Sequence, residues 1–360
     1  MNLKSTFVRG AAAGLWLLAS WAQAASYTAL DLGRLDGLSM RAKGLNASGQ
    51  VVGISVAFDP VDAFITNANG GGLRALDALP PYLNFGSGIN DAGQVTGYAA
   101  VDSTRRAFIT GPNGAGVTYI GPDMTYALAI SATGRVVGFT NPASGGFHAF
   151  TTGDNGTGFT DLTPEAGTLS LATAVNSVGQ VVGAWRPLDA DAHAFLTGPN
   201  VVGMRDLGTL GGQYSRALGI NDSAQVVGWA FTAGNAQHAF ATDAGGANMR
   251  DLGTLGGNES AANAVNAFGT AVGYSLLSNG ESHAFISFAG AAGMIDLNSW
   301  VTLPAGVYLT EAVGINTIGQ IAANGSDGAA YLLTPVPEPA SWTLMALGVA
   351  GLLWGRRRRA

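Results

Sequence analysis

The chain holds four histidines, and each opens the tripeptide H-A-F: His148, His193, His238 and His283, spaced 45 residues apart. Imidazoles at fixed spacing could ligate a metal or carry protons. A D-L landmark follows the same period, at Asp31, Asp77, Asp161, Asp206, Asp251 and Asp296, with Tyr119-Ile120 in the remaining slot. Carboxylates could supply acid–base chemistry. Repetition argues against both. A residue present once in every unit is structural, because one active site needs asymmetry. In a strand-built repeat the histidine falls on the third strand, about 10 Å outside the innermost one. Histidines of neighbouring units are then too far apart to share an ion whose Zn–N distance is about 2.0–2.1 Å. The expected partner of each imidazole is the backbone or a repeat aspartate. Asp189-Ala190-Asp191 and Asn221-Asp222 raise calcium as an alternative, yet no D-x-D-x-D-G loop occurs. G-x-S-x-G, H-E-x-x-H and P-loop signatures are absent too. No catalytic residue and no cofactor is assigned.

The elements that position these residues belong to a repeat. A turn landmark recurs at Asn46, Asn90, Ser131, Asn176, Asn221, Asn266 and Asn316, at spacings of 44, 41, 45, 45, 45 and 50 residues. Its fullest form is N-x-x-G-Q-V-V-G. Around it, Arg216–Ile220, Val226–Phe231, His238–Thr242 and Ala247–Leu252 are rich in β-formers and too short for helices. In N-x-x-G, asparagine caps a hairpin turn and glycine takes the left-handed position. Ala224 stands where the other units have glycine, at a cost of about 1 kcal/mol. The nonapeptide MRDLGTLGG occurs twice, at 204–212 and 249–257. The longer segment Gly208–Ser215 reads as the crossing from one unit's outer strand to the next unit's inner one.

Four short strands per unit of about 45 residues predict an all-β fold, a seven-bladed β-propeller. The N-terminal strand Tyr27–Leu32 precedes any I-N strand, and the last unit ends at Ala330–Thr334 without a D-L strand. The first strand is therefore expected to complete the last blade. An open β-solenoid is the alternative. Tyr98, Phe139, Trp229 and Tyr274 follow V-V/T-G, with Trp185 one residue later. Flat sugar faces stack on such rings, but packing between blades is the favoured role. The loops 186–192, 232–237 and 277–282 differ between units and share a face with the crossings. Variable loops on a rigid scaffold are where recognition is expected. The candidate ligand-face residues are Arg186, Asp189, Asp191, Asn235, Gln237, Asn279 and Glu281.

The repeat landmarks resemble the HAF-repeat family of extracellular bacterial proteins, over nearly all of 27–334. That resemblance implies location and architecture more than activity.

The ends differ from the middle. Lys4, Arg9 and the apolar run from Ala11 lead to Ala22-Gln23-Ala24, which reads as a signal peptide over 1–24 cleaved between Ala24 and Ala25. The body is 25–335 and the tail 336–360. In the tail, Ala340–Gly355 is an uncharged, mostly apolar run of 16 residues. As a helix it covers about 24 Å, just short of a bilayer core of about 30 Å. Arg356, Arg357, Arg358 and Arg359 would hold its far end in the cytoplasm. Val336-Pro337-Glu338-Pro339, the apolar segment and the arginines resemble the PEP-CTERM sorting signal. That resemblance implies a Gram-negative envelope or extracellular protein, transiently anchored in the inner membrane and processed by an exosortase, in the setting of exopolysaccharide or biofilm production.

Composition bounds the rest. The hydrophobic fraction of 47% suffices for a core, and the absence of cysteine excludes disulfides and thiolate chemistry. With Lys4, Arg9, Arg356–Arg359 and Glu338 set aside, 11 basic and 22 acidic residues remain, a body charge near −11. Such a surface disfavours nucleic acid. The reading is a secreted, non-enzymatic repeat protein that binds polysaccharide or envelope proteins. A polysaccharide hydrolase or lyase with its site in the channel is the rival, and a purely structural matrix component is a third reading.

Overall fold

A computed structural model describes residues 26–56, 61–80, 83–142, 145–163, 169–187, 190–291 and 293–336. Ala24, Ala25, Asp189, Pro337, Glu338, Pro339 and Arg356–Arg359 lie outside the described residues, as does the expected tail helix. Among the described residues no helix is long and apolar enough to cross a membrane.

The fold is β-propeller-like. Among the described residues, 28 strands form antiparallel groups of four. Five sheets are four-stranded, and an eight-stranded one joins two such groups through a single parallel pair, Gln237↔Glu259. The first strands are Ser39–Leu45, Asn84–Ile89, Thr125–Ile130, Leu169–Val175, Gly211–Ile220, Gly256–Val265 and Leu309–Ile315. Together they line a central channel. They approach closely: a Cβ on Gly219 would lie 3.2 Å from Ala264 Cα of the next unit. The N-terminal strand Tyr27–Asp31 pairs antiparallel with the last strand, Ala330–Pro335.

Local chemistry explains each landmark. The glycine of V-V-G is required because a bulge in the first strand brings a carbonyl over it: a Cβ on Gly228 would lie 2.0 Å from Arg216 O. The H-A-F phenylalanine sits opposite that glycine, as in Gly228↔Phe240. Phe64, Phe108, Phe150, Phe195, Phe240 and Phe285 are fully buried between units. Each contributes roughly 1.5–3 kcal/mol of burial. Ala224 adopts φ 54°, the left-handed conformation expected at its slot.

Most of the repeated nonapeptide is accounted for. Asp206 Oδ1 accepts from Gly208 N at 2.7 Å, and Thr209 Oγ1 donates to Gly212 O at 2.8 Å. Ser215 Oγ then donates to Gly208 O at 2.5 Å and accepts from Ala194 N of the preceding unit at 2.8 Å. Asp251, Thr254 and Ser260 repeat the pattern. The crossing is less of a loop than expected. Its second half is strand, because Gly211 pairs with Thr232. Gly212 lets that strand lie against its neighbour, since a Cβ there would meet Phe231 Cβ at 2.6 Å.

One landmark shifts. Phe64 faces Ala75, whereas Phe150, Phe195, Phe240 and Phe285 face Asp161, Asp206, Asp251 and Asp296. The D-L slot of that unit is therefore Ala75-Leu76. Asp77 lies two residues beyond it and is exposed.

The hairpin asparagines do more than cap. Asn221 Oδ1 accepts from Ser223 N and Gln225 N at 3.0 Å each, and its Nδ2 donates to Gln225 Oε1 at 2.8 Å. The same Nδ2 reaches the next unit, at Asn266 O, 2.9 Å away. Equivalent bonds run Asn46 to Asn90 O and Asn90 to Ser131 O. They resume from Asn176 to Asn221 O, then from Asn266 to Asn316 O and from Asn316 to Asn46 O. Ser131 has no amide to pass on. These hairpins define one face, the hairpin face. The crossings and variable loops define the opposite one, the crossing face.

Candidate functional site

Each histidine is bonded within its own unit. Their Nδ1 atoms lie 2.8 Å from Asp161 Oδ2 for His148, 2.8 Å from Asp206 Oδ2 for His193, 2.8 Å from Asp251 Oδ2 for His238 and 2.7 Å from Asp296 Oδ2 for His283. Each pair ties the third strand to the outer strand of its own unit. The aspartates' Oδ1 atoms meanwhile cap the following turn, as in Thr163 N to Asp161. The blade-internal partner expected from the repeat is the one found.

Asymmetry resides at the crossing-face end of the channel. The position five residues before the hairpin landmark carries Arg41, Phe85, Tyr126, Leu171, Arg216, Ala261 and Glu311. Nothing in the repeat geometry dictates such diversity, and the side chains sort into three sectors.

The first sector is aromatic. Phe85 stacks on Tyr98 at 4.5 Å and 14°, and Tyr126 on Phe139 at 4.7 Å and 12°. Tyr98 and Tyr126 meet edge-on at 4.9 Å, which joins two units, and Phe139 meets Phe147 at 5.2 Å. The first four rings are half-buried and Phe147 is 46% exposed. A cleft of about 390 Å³ opens beside the row, lined by Phe85, Tyr98, Leu128, Ile54 and Lys43. Burial raises the Tyr98 phenol above its ordinary range, with Tyr126 adding and Arg105 opposing.

The second sector is basic. Arg41 and Lys43 are exposed, and neither has a carboxylate partner among the described residues. Arg216 is half-buried opposite Trp229. Its Nε is buried without a hydrogen-bond partner, and burial lowers its affinity for the proton.

The third sector is acidic, and both carboxylates already accept hydrogen bonds. Glu259 Oε1 accepts from Tyr274 OH at 2.7 Å and from Gln237 Nε2 at 3.4 Å. Glu311 Oε1 accepts from Asn263 Nδ2 at 2.9 Å and Oε2 from Asn324 Nδ2 at 3.5 Å. Burial first, then Glu259, pushes the Tyr274 hydroxyl well above its usual value.

The residues singled out from sequence scatter around this site. Gln237 begins a strand and joins the Glu259–Tyr274 cluster. Asn279 and Glu281 are exposed and bond to each other, Nδ2 to Oε2 at 2.6 Å. Asn235 sits at a turn with φ 61°. Arg186 is exposed and Asp191 partly so. Asp222 serves the scaffold, accepting from Ser177 N at 2.9 Å. Of the aromatics after V-V/T-G, Tyr98 and Phe139 pack on first-strand rings, Phe85 and Tyr126, Trp229 packs on Phe231, and Tyr274 bonds to Glu259. Sequence reasoning missed Phe85, Tyr126, Lys43, Glu259 and Glu311. For Phe85, Tyr126 and Glu311 the available signal was the variability of one fixed position within an otherwise regular repeat; Lys43 and Glu259 lie outside it.

Comparison with known proteins agrees with this architecture. The C-terminal residues 335–359 match the PEP-CTERM protein-sorting motif. No curated protein matches the chain. Among solved structures, the chain is similar to an oligogalacturonate lyase from Vibrio parahaemolyticus, with TM-score 0.57, 10% identity, and 86% of this chain and 94% of that one covered. It is also similar to the β-propeller domain of the trilobed protease from Pyrococcus furiosus, with TM-score 0.54, 7% identity, and 83% and 98% covered. YCF48 from Cyanidioschyzon merolae gives TM-score 0.54, 10% identity, and 85% and 98% covered. At these identities the likeness concerns the fold. The chain thus carries a PEP-CTERM sorting motif behind a β-propeller-like body, which implies an exosortase-processed protein of the cell envelope or exterior.

Proposed function

We propose that this protein is a secreted, surface-directed recognition module that binds matrix polysaccharide on its crossing face. The observation that carries the reading is the aromatic row from Phe85 to Phe147. Stacked, half-exposed rings beside an open cleft offer flat apolar platforms to sugar rings. Lys43 at the cleft and Arg41 nearby add donors for hydroxyl or acidic groups. Binding needs no metal in this reading. The chain divides into a signal peptide at 1–24, the body at 25–335 and the sorting tail at 336–360, with the body assigned to the HAF-repeat family.

We read the eight-stranded sheet as two blades, which makes seven. One residue pair joining its halves supports this. Closure by the N-terminal strand is supported by its pairing with Ala330–Pro335 and by the Asn316–Asn46 bond. A rigid closed disc keeps the aromatic row preorganised.

The enzymatic alternative rests on Glu259, Glu311 and Tyr274. Both carboxylates are occupied by hydrogen-bond donors, and Tyr274 keeps its proton more tightly than a free phenol. Three of the four carboxylate oxygens thus already hold side-chain donors, which weighs against this reading. The reading is tested by titrating the secreted protein against matrix polysaccharides, with and without calcium. Saturable binding that Tyr126→Ala weakens at least tenfold supports it. Partners that are all proteins would refute it.

A further inference from the structure

The two ends of the described chain leave from one place. Val336 N donates to Ser26 O at 2.8 Å. Pro335 lies beside the Asn316–Gly319 hairpin, where a Cβ on Gly319 would meet its ring at 3.5 Å. The chain thus departs from the hairpin face, and 24 residues follow Val336, with the apolar run beginning at Ala340.

That spacing is short. Four residues reach at most about 14 Å even when fully extended. If the apolar run enters a bilayer, the body is held against that bilayer, with its hairpin face inward.

The exposed surface fits this placement. Phe268 is 70% exposed and Ile318 is 62% exposed, at the same position of neighbouring hairpins. Other units place Ser48, Ala92, Thr133 and Ser223 there, Val178 being the exception. Phe288, 44% exposed, follows the strand Ser282–Ser287 towards the same face, and its ring lies 6.0 Å from that of Trp300. Val336 itself is 41% exposed. Single exposed apolar residues are ordinary, but a group of them around the point of chain exit is not. Apolar side chains such as Phe and Ile gain by burial at the headgroup–acyl boundary of a membrane.

We infer that this sector of the hairpin face rests on the lipid bilayer that receives the C-terminal segment, with Phe268 and Ile318 inserted at the interface. The tail then sets orientation as well as location. The crossing face, with its aromatic row, is presented away from the membrane. This inference does not depend on what the crossing face binds.

The native chain lacks cysteine, so single labels are clean. Full-length Phe268→Cys, Ile318→Cys and, from the crossing face, Asn279→Cys would each carry an environment-sensitive fluorophore. Each would be reconstituted in phosphatidylethanolamine–phosphatidylglycerol vesicles with brominated acyl chains and recovered by flotation. All three sites are exposed, so folding is not at stake, and circular dichroism checks it. Quenching at 268 and 318 at least threefold stronger than at 279 is the expected result. Equal quenching at 279, no quenching at 268 and 318, or failure to float would overturn the inference. Cross-links between copies through position 268 would overturn it in favour of self-association.

Discussion

Asn316 Nδ2 donates to Asn46 O at 3.3 Å, linking residues 270 positions apart in sequence. The same bond joins neighbouring units elsewhere around the channel. It converts a local turn signal into an inter-unit fastening. Replacing Asn221 by alanine removes both the cap and the fastening, and takes the partner from two part-buried backbone donors and from the buried Asn266 carbonyl. The expected cost is about 2–3 kcal/mol. Ser131→Ala, which removes no inter-unit amide, should cost less than half as much. Urea unfolding of the two variants compares them directly.

Ala224 occupies the left-handed position that glycine holds in the other units. Ala224→Gly relieves that strain and should raise stability by about 0.5–1 kcal/mol. The change should show as an increase in the denaturation midpoint without a change in its slope.

The His–Asp pairs should respond to substitution as hydrogen bonds of the scaffold. Asp251 serves both His238 and Gly253 N. Asp251→Asn keeps one acceptor, for Gly253 N, and puts an amide donor where Oδ2 met His238; it should cost less than Asp251→Ala, which should cost about 1–2 kcal/mol. Thermal unfolding of both variants and of His238→Ala completes the cycle. Equal losses for asparagine and alanine would show that the retained acceptor for Gly253 N contributes nothing measurable.

Tyr331 is buried and donates to Asp327 Oδ2 at 3.0 Å. Burial first, and then that bond, raises its ionisation to about 12 from an ordinary value of 10.0. The folded state therefore favours the protonated phenol. The associated stability is complete below pH 10 and is lost as pH rises from there to about 12. Tyr331→Phe should flatten that loss, as seen in unfolding midpoints collected across the interval.

Much of this was legible in the sequence. The hairpins at Asn46 to Asn316, the H-A-F strands and the His–Asp partnership all follow from spacing and strand order. Asp77 misled because a nearby aspartate was read as the landmark, when strand register places Ala75 opposite Phe64. The crossing at 208–215 reads as loop because its glycines look like turn residues, yet Gly212 is there for close packing. The second bond of each asparagine was hidden because it depends on the neighbouring unit. The aromatic row was hidden for the same reason: Phe85, Tyr98, Tyr126 and Phe139 are separated in sequence and meet only through cross-strand register and the contact between units.

In the proposed function the crossing face recognises polysaccharide through that row. The most direct test is the affinity of the secreted protein for its best-bound matrix glycan, measured for the parent, Tyr126→Ala and Phe147→Ala. The account predicts losses of tenfold or more for Tyr126→Ala and of several-fold for Phe147→Ala, with unfolding midpoints little changed for Phe147→Ala. Undiminished affinity in both variants, or no saturable glycan binding by the parent, would contradict it.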